Sequence, residues 1–190
     1  MITFDEATHT YHIDGVPAVS VTQAMDDCGI IDKSHYDQST ASRGTMVHYL
    51  CECLDNGEDV DALLDKAPEY HGYIVGYRAF LDDSKIEYLA SEKIVYHRGS
   101  RVAGRLDRLG RLKRLSIIDI KSGGVPTWTG VQLAGYEYCL NDMGFNQLFD
   151  RYALKLSDNG TYKFVPFKDK SDRIVFRAAV TVAQYKRGLK

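Results

Sequence analysis

No stretch of the chain reaches about 18 consecutive apolar residues, the length a membrane-spanning helix needs, so no membrane span is expected. Met1–Glu6 has neither the basic start nor the apolar core of a secretory signal, and a cytoplasmic location is the expectation. Cysteine is scarce: Cys28, Cys51, Cys53 and Cys139 contain no CxxC and no metal-ligand spacing. A disulfide framework is excluded on the same grounds, and buried thiols are expected instead. Net charge is also small, 24 Lys+Arg against 26 Asp+Glu, a balance of −2. That excludes a protein that coats nucleic acid by bulk electrostatics. Internal repeats, low-complexity segments and linkers are missing as well.

What is present is ordinary globular composition, 44% hydrophobic and 26% charged over 190 residues, which predicts a single domain spanning 1–190 with one sizeable core. Short β-prone runs open the chain and flank Asp14-Gly15, a strong hairpin signal. Ser20 or Thr22 then caps a short helix reaching about Asp27. Helical periodicity runs from about Asp37 to Asn56, with Val47, Leu50 and Leu54 on one face, and again from about Glu69 to Asp82. Ile86–His97, Arg101–Leu109 and Arg114–Lys121 read as three strands. A helix over Thr127–Asn141 follows, then strands at Leu148–Leu156 and Tyr162–Phe167, and a last helix from about Lys170 to Arg187. The fold class is mixed α/β.

Charge is unevenly spread. Residues 26–69 hold eleven acids and three bases, whereas 97–115 hold seven bases and the single acid Asp107. From Pro166 onward there are seven bases and two acids. The acids are thus expected to lie away from the basic strand pair.

On the strand Ile117–Lys121, Asp119 and Lys121 project to one face and Ile118 and Ile120 to the other. A charged pair on an otherwise apolar strand needs a reason, either chemistry or a simple strand-end ion pair. If the preceding strand forms an antiparallel hairpin with it, Asp107 lies near Asp119. Two such carboxylates repel unless a cation sits between them, and hard oxygen ligands suit Mg²⁺ or Mn²⁺; an acid paired with a neighbouring Arg is the plainer alternative. His48 and Glu52 share a helix face, and Glu92 lies on the strand entering the basic hairpin. Each fits a solvated or core position as well as a ligand. Trp128, Gln132 and Tyr136 share one helix face, where a buried Gln needs hydrogen-bond partners.

In chain order, Gly44-Thr45-x-x-His48, Gly104-x-x-Asp107, Asp119-Ile120-Lys121 and Gln132-x-x-x-Tyr136 resemble the PD-(D/E)XK nuclease superfamily, in particular its RecB-like and phage-type exonuclease branch. The order helix, three strands, helix, strand is similar to the family's αβββαβ core, here about 37–156. Tyr11-His12-x-x-Gly15 followed by Ser20-Val21-Thr22 looks like the phage-type and mitochondrial-genome-maintenance-type members. The resemblance implies a restriction-endonuclease-like core with a mixed central sheet flanked by helices, an N-terminal β-hairpin and a C-terminal strand–helix extension.

By the same resemblance, His48, Asp107, Asp119 and the backbone carbonyl of Ile120 bind one or two Mg²⁺ or Mn²⁺ ions, with Glu92 a further ligand through water. Lys121 positions the attacking water, and Gln132 and Tyr136 orient the strand or touch the nucleic-acid backbone. Arg43, Arg105, Arg108 and Trp128 are the candidates for DNA contacts, since an Arg fork matches phosphate oxygens, with surface arginines that hold no ligand as the alternative. Asp119 stands at a position where the family also uses Glu. With only Cys139 following Lys121, no iron–sulfur cluster is expected. The implied activity is a DNA exonuclease acting on single strands or duplex ends in phage or host recombination, repair or replication. A structure-specific or restriction-type endonuclease and a catalytically silent DNA-binding module are the alternatives. A non-haem iron oxygenase using His48 and His97 leaves Lys121 without a role.

Overall fold

The computed structural model describes residues 1–32 and 38–188; Asp37, the expected start of the first long helix and of the core, lies outside them. The chain opens with β1 (Ile2–Asp5), β2 (Thr10–Ile13) and β3 (Val16–Ser20), a meander of antiparallel pairs. Asp14 and Gly15 turn β2 into β3 with φ of +52° and +80°, the double left-handed conformation of a tight hairpin that Asp-Gly tolerates. Ser20 then starts α1 (Val21–Asp26) through a reciprocal cap: its Oγ accepts the Gln23 N–H at 3.0 Å, and its own N–H donates to Gln23 Oε1 at 3.1 Å.

Two helices follow, α2 (Gln38–Asp55) and α4 (His71–Ser84), separated by the single turn α3 (Asp61–Leu64). Next come β4 (Glu87–His97), β5 (Val102–Arg111) and β6 (Leu115–Lys121), then α5 (Thr129–Asp142), β7 (Asp150–Leu156), β8 (Tyr162–Pro166) and α6 (Ser171–Lys186). The expected strand and helix order is the observed one. Boundaries differ by one or two residues, and α3 is too short for periodicity to register.

All eight strands join one mixed sheet, in which β5 is antiparallel to β4 on one edge and to β6 on the other. β6 and β7 are parallel, which requires the crossover that α5 provides. The start of β5 also pairs in parallel with the end of β3, Val19 against Val102, and this fastens the N-terminal meander to the central strands.

The two faces of the sheet pack into two cores. Leu106, Leu109 and Ile117 pack with Leu133, Leu140 and Phe176, beneath α1, α5 and α6. Ile118, Ile120 and Leu154 pack with Val47, Leu50, Ile74 and Phe80, beneath α2 and α4. Helices therefore flank both faces, as expected for the α/β class. Cys51, Cys53 and Cys139 are buried thiols and Cys28 is half-buried. Among the described residues no helix is long and apolar enough to cross a membrane.

Candidate metal and nucleic-acid site

The site forms where β5 and β6 part. Their ladder pairs Arg111 with Leu115 and continues to Arg108 opposite Ile118. Two residues beyond Ile118 a side chain takes over from the ladder: the Ile120 N–H donates to Asp107 Oδ2 at 2.7 Å. Asp107 thereby stands beside Asp119, as the hairpin register anticipates, and both are buried.

The glycine of Gly104-x-x-Asp107 has a steric cause. A Cβ there would lie 2.9 Å from Tyr136 Cε1 and 3.1 Å from Val21 Cγ2, so the bare backbone is what lets the Tyr136 ring approach β5. Gly104→Ala is expected to cost about 1–3 kcal/mol by overpacking, seen as a lower midpoint in denaturant melts. An unchanged midpoint would show that Tyr136 yields freely.

From the opposite face, α2 brings in His48. Its Nε2 is 2.9 Å from the carbonyl oxygen of Ile120, and its Nδ1 lies 3.6 Å from Asp107 Oδ2 and 3.8 Å from Glu92 Oε1. Ligand atoms of His48, Glu92 and Asp107 all fall within 4.8 Å of one another. For an octahedral ion with bonds of about 2.1 Å, neighbouring ligands are about 3 Å apart and opposite ones about 4.2 Å. The observed spacings and the mixture of carboxylate, carbonyl and one imidazole therefore fit a Mg²⁺ or Mn²⁺ centre. Glu92 is a full member of this cluster; it stands in β4 with φ +47°, a left-handed conformation that a non-glycine residue adopts at a cost. His97 is not part of it. That ring stacks on Tyr138 at 4.1 Å and faces Asp142, so the pair of histidines an oxygenase reading needs does not come together.

Asp119 looks the other way. Its Oδ2 is 2.7 Å from Lys121 Nζ, as the shared strand face predicts. The ammonium also lies 3.5 Å from Gln132 Oε1 and 5.5 Å from the centre of the Trp128 ring. Gln132 Nε2 donates to the Tyr136 hydroxyl at 3.1 Å, inside the fold. The helix face read from spacing thus forms a relay that ends on Lys121 and satisfies the buried amide.

Two cavities meet at Gly44 and His48. One, of about 590 Å³, is lined by Lys121, Gly123 and Trp128, and the other, of about 410 Å³, by Glu52, Glu92 and Arg105. Arg105 is exposed, with its guanidinium carried over the Phe4 ring at 5.3 Å. Arg43 lies along the loop after β6, where a Cβ on Gly123 would come 3.4 Å from its Nη2.

Arg108 corrects the expectation of a phosphate contact. It is wholly buried, its guanidinium held by Asp55 and Glu92; its register partner Ile118 packs into the core beneath α2 and α4. The charge map needs correcting too. The acid-rich segment does not stay away from the site, since α2 carries Glu52 to the cleft and Asp55 beneath it. Three cations of the basic hairpin, all exposed, each face an acid: Arg98 pairs with Asp14, Arg111 with Glu87 and Arg114 with Asp150. Asp55, Tyr77 and Ser91, which complete the buried network, carried no signal in the sequence, since a helix-end Asp before Asn-Gly reads as a cap.

No family model matches this chain, and no curated protein does. Among solved structures, it is similar to an alkaline exonuclease, LHK-Exo, from Laribacter hongkongensis, with a TM-score of 0.47 and 13% identity over 90% of this chain and 88% of that one. The same exonuclease in complex with dAMP gives a TM-score of 0.48 and 12% identity over the same shares.

Packing the charges together perturbs them. Burial pushes His48 towards its neutral form, but Asp107, Glu92 and Asp119 outweigh burial and hold the imidazolium to about 9. Burial raises the Asp107 carboxyl to about 6; Asp119 and Glu92 push it the same way, and His48 and Lys121 oppose. Glu92 resists its burial because His48 and Arg108 face it, and it is held below the usual carboxylate range. Tyr136 is driven far up by burial and by the two aspartates, so it stays a neutral hydroxyl. A concentration of carboxylates that repel one another, beside one fixed ammonium and two open cavities, is suited to holding a divalent ion against an anionic substrate.

Proposed function

We propose that the whole chain is one nuclease domain of PD-(D/E)XK type, a Mg²⁺- or Mn²⁺-dependent DNA exonuclease acting on single strands or duplex ends. The observation that carries this reading is the joint placement of two features. His48, Glu92 and Asp107 gather their ligand atoms at the parting of β5 and β6, and Lys121 stands against Asp119 at the end of the same strand. A purely structural ion pair needs neither the extra carboxylates nor the strained Glu92.

In this reading His48, Glu92, Asp107, Asp119 and the Ile120 carbonyl would hold one or two ions. A bound ion supplies positive charge at the scissile phosphate and lowers the pKa of an attacking water. Lys121 orients that water and stabilises the charge that builds on the phosphate. Gln132 and Tyr136 keep the Lys121 ammonium in place, Arg43 and Arg105 grip flanking phosphates, and Trp128 offers its ring to a base in the larger cavity. Work of this kind belongs to recombination, repair or replication of phage or host DNA in the cytoplasm.

The test is digestion of 5′- and 3′-labelled single- and double-stranded DNA, and of a closed circle, with Mg²⁺ or Mn²⁺. Stepwise release from labelled ends, no cutting of the circle and complete loss with excess EDTA are expected. Cutting of the circle replaces the exonuclease with an endonuclease. Salt-sensitive binding without cleavage makes the protein a silent DNA-binding module.

A further inference from the structure

Arg108 is charged, wholly buried and outside the reaction described above. Its Nε donates to Asp55 Oδ2, while Nη1 donates both to Glu92 Oε1 at 3.1 Å and to the backbone carbonyl of Asp107 at 2.8 Å. One nitrogen therefore ties the carboxylate of one ligand to the backbone of another. Asp55 is fixed in turn by two hydroxyls, its Oδ1 accepting from Tyr77 at 2.7 Å and its Oδ2, the oxygen Arg108 holds, from Ser91 Oγ at 3.3 Å. The Tyr88 hydroxyl stands 3.2 Å from that of Tyr77. The network joins α2, α4, β4 and β5.

A buried charge network is costly, and apolar residues of similar volume often serve stability as well or better. Its placement points to another use. Glu92 sits on a left-handed backbone in mid-strand, with Asp107 and His48 within reach. Like charge from Asp107 opposes an ionised Glu92 at that position. The Arg108 fork offsets this repulsion and gives Glu92 Oε1 one defined position.

We infer that Arg108, oriented by Asp55, is a positioning residue for the metal centre: it sets Glu92 and the backbone at Asp107 in ligating geometry before an ion arrives. The inference rests on the proposed metal site. It is tested on Mn²⁺ alone, by calorimetry and by electron paramagnetic resonance of the free ion, with circular dichroism reporting the fold. Asp55→Asn and Arg108→Lys are expected to weaken Mn²⁺ binding by about 10- to 100-fold, as loss of partners behind a ligand does. Tyr77→Phe, which takes only one bond from Asp55, weakens it in the same direction by less.

The deciding measurement is the cycle with Glu92→Gln. Once Glu92 no longer ligates as a carboxylate, Asp55→Asn is expected to add no further loss. Where Asp55→Asn does not fold, Tyr77→Phe takes its place in the cycle. Equal losses in the two backgrounds, or no loss from any of the three variants, overturn the role of Arg108 and leave the metal site standing. Wild-type protein that binds no Mn²⁺, or binding that Glu92→Gln leaves untouched, overturns the inference together with the ligand assignment beneath it.

Discussion

Lys121→Ala is expected to lower DNA cleavage by about a hundred- to a thousand-fold, the cost of removing one preorganised charge aimed at the transition state, while Mn²⁺ still binds. The separation of the two effects follows from the geometry. Lys121 Nζ is held by Asp119 at 2.7 Å, by Gln132 and by the face of Trp128, and it is no member of the His48, Glu92 and Asp107 cluster. Removing the ammonium frees Asp119, which adds to the pull on a cation. Single-turnover cleavage at saturating Mn²⁺ reads the first effect and calorimetry the second. Lys121→Arg is expected to rescue little, because a planar fork does not reproduce a point charge between a carboxylate, an amide and a ring. Cleavage that survives Lys121→Ala assigns the activity to another site or to a contaminant.

The fold was legible because its elements are long and differently periodic. The shift from three- and four-residue spacing in α2 to the alternating run of β6 marks helix from strand without reference to tertiary contacts. The Asp14-Gly15 turn could be read because few residue pairs tolerate two consecutive positive φ angles. The site was legible where its residues share an element. Asp119 with Lys121 follows from two-residue alternation, and Gln132 with Tyr136 from one helical turn. Glu92 was harder to rank, since its membership depends on a backbone excursion that no local sequence pattern marks. Asp55 was invisible for a related reason, because its partner Arg108 lies 53 residues away and only the packing of α2 on the sheet joins them.

Charge arithmetic misled in an instructive way. Seven bases fall in one short segment, yet Arg108 is wholly buried, and Arg98, Arg111 and Arg114 stay exposed while each faces an acid. Of the basic residues on β5, Arg105 is the one that reaches the cleft beside Glu92. Linear charge density measures how many cations a segment has, while their availability is set by which of them the fold buries and which it sets beside an acid.

Asp107→Asn is expected to weaken Mn²⁺ binding by at least about 100-fold, more than loss of a supporting partner costs, and to alter how binding depends on pH. In the metal-free site the neighbouring carboxylates hold His48 protonated up to about 9. An ion must expel that proton to use the imidazole, so wild-type affinity rises with pH by about tenfold per unit until the proton is gone. Below about 6 the Asp107 carboxyl also takes up a proton, and the dependence steepens towards two protons released per ion. Asp107→Asn removes one of the carboxylates that keep His48 charged, so its remaining pH dependence shifts to lower pH. Calorimetry in buffers of different ionisation enthalpy counts the protons directly, with about one expected per Mn²⁺ between pH 6 and 9. Affinity independent of pH across that window would remove His48 from the ligand set and leave its contact with the Ile120 carbonyl as a purely structural bond.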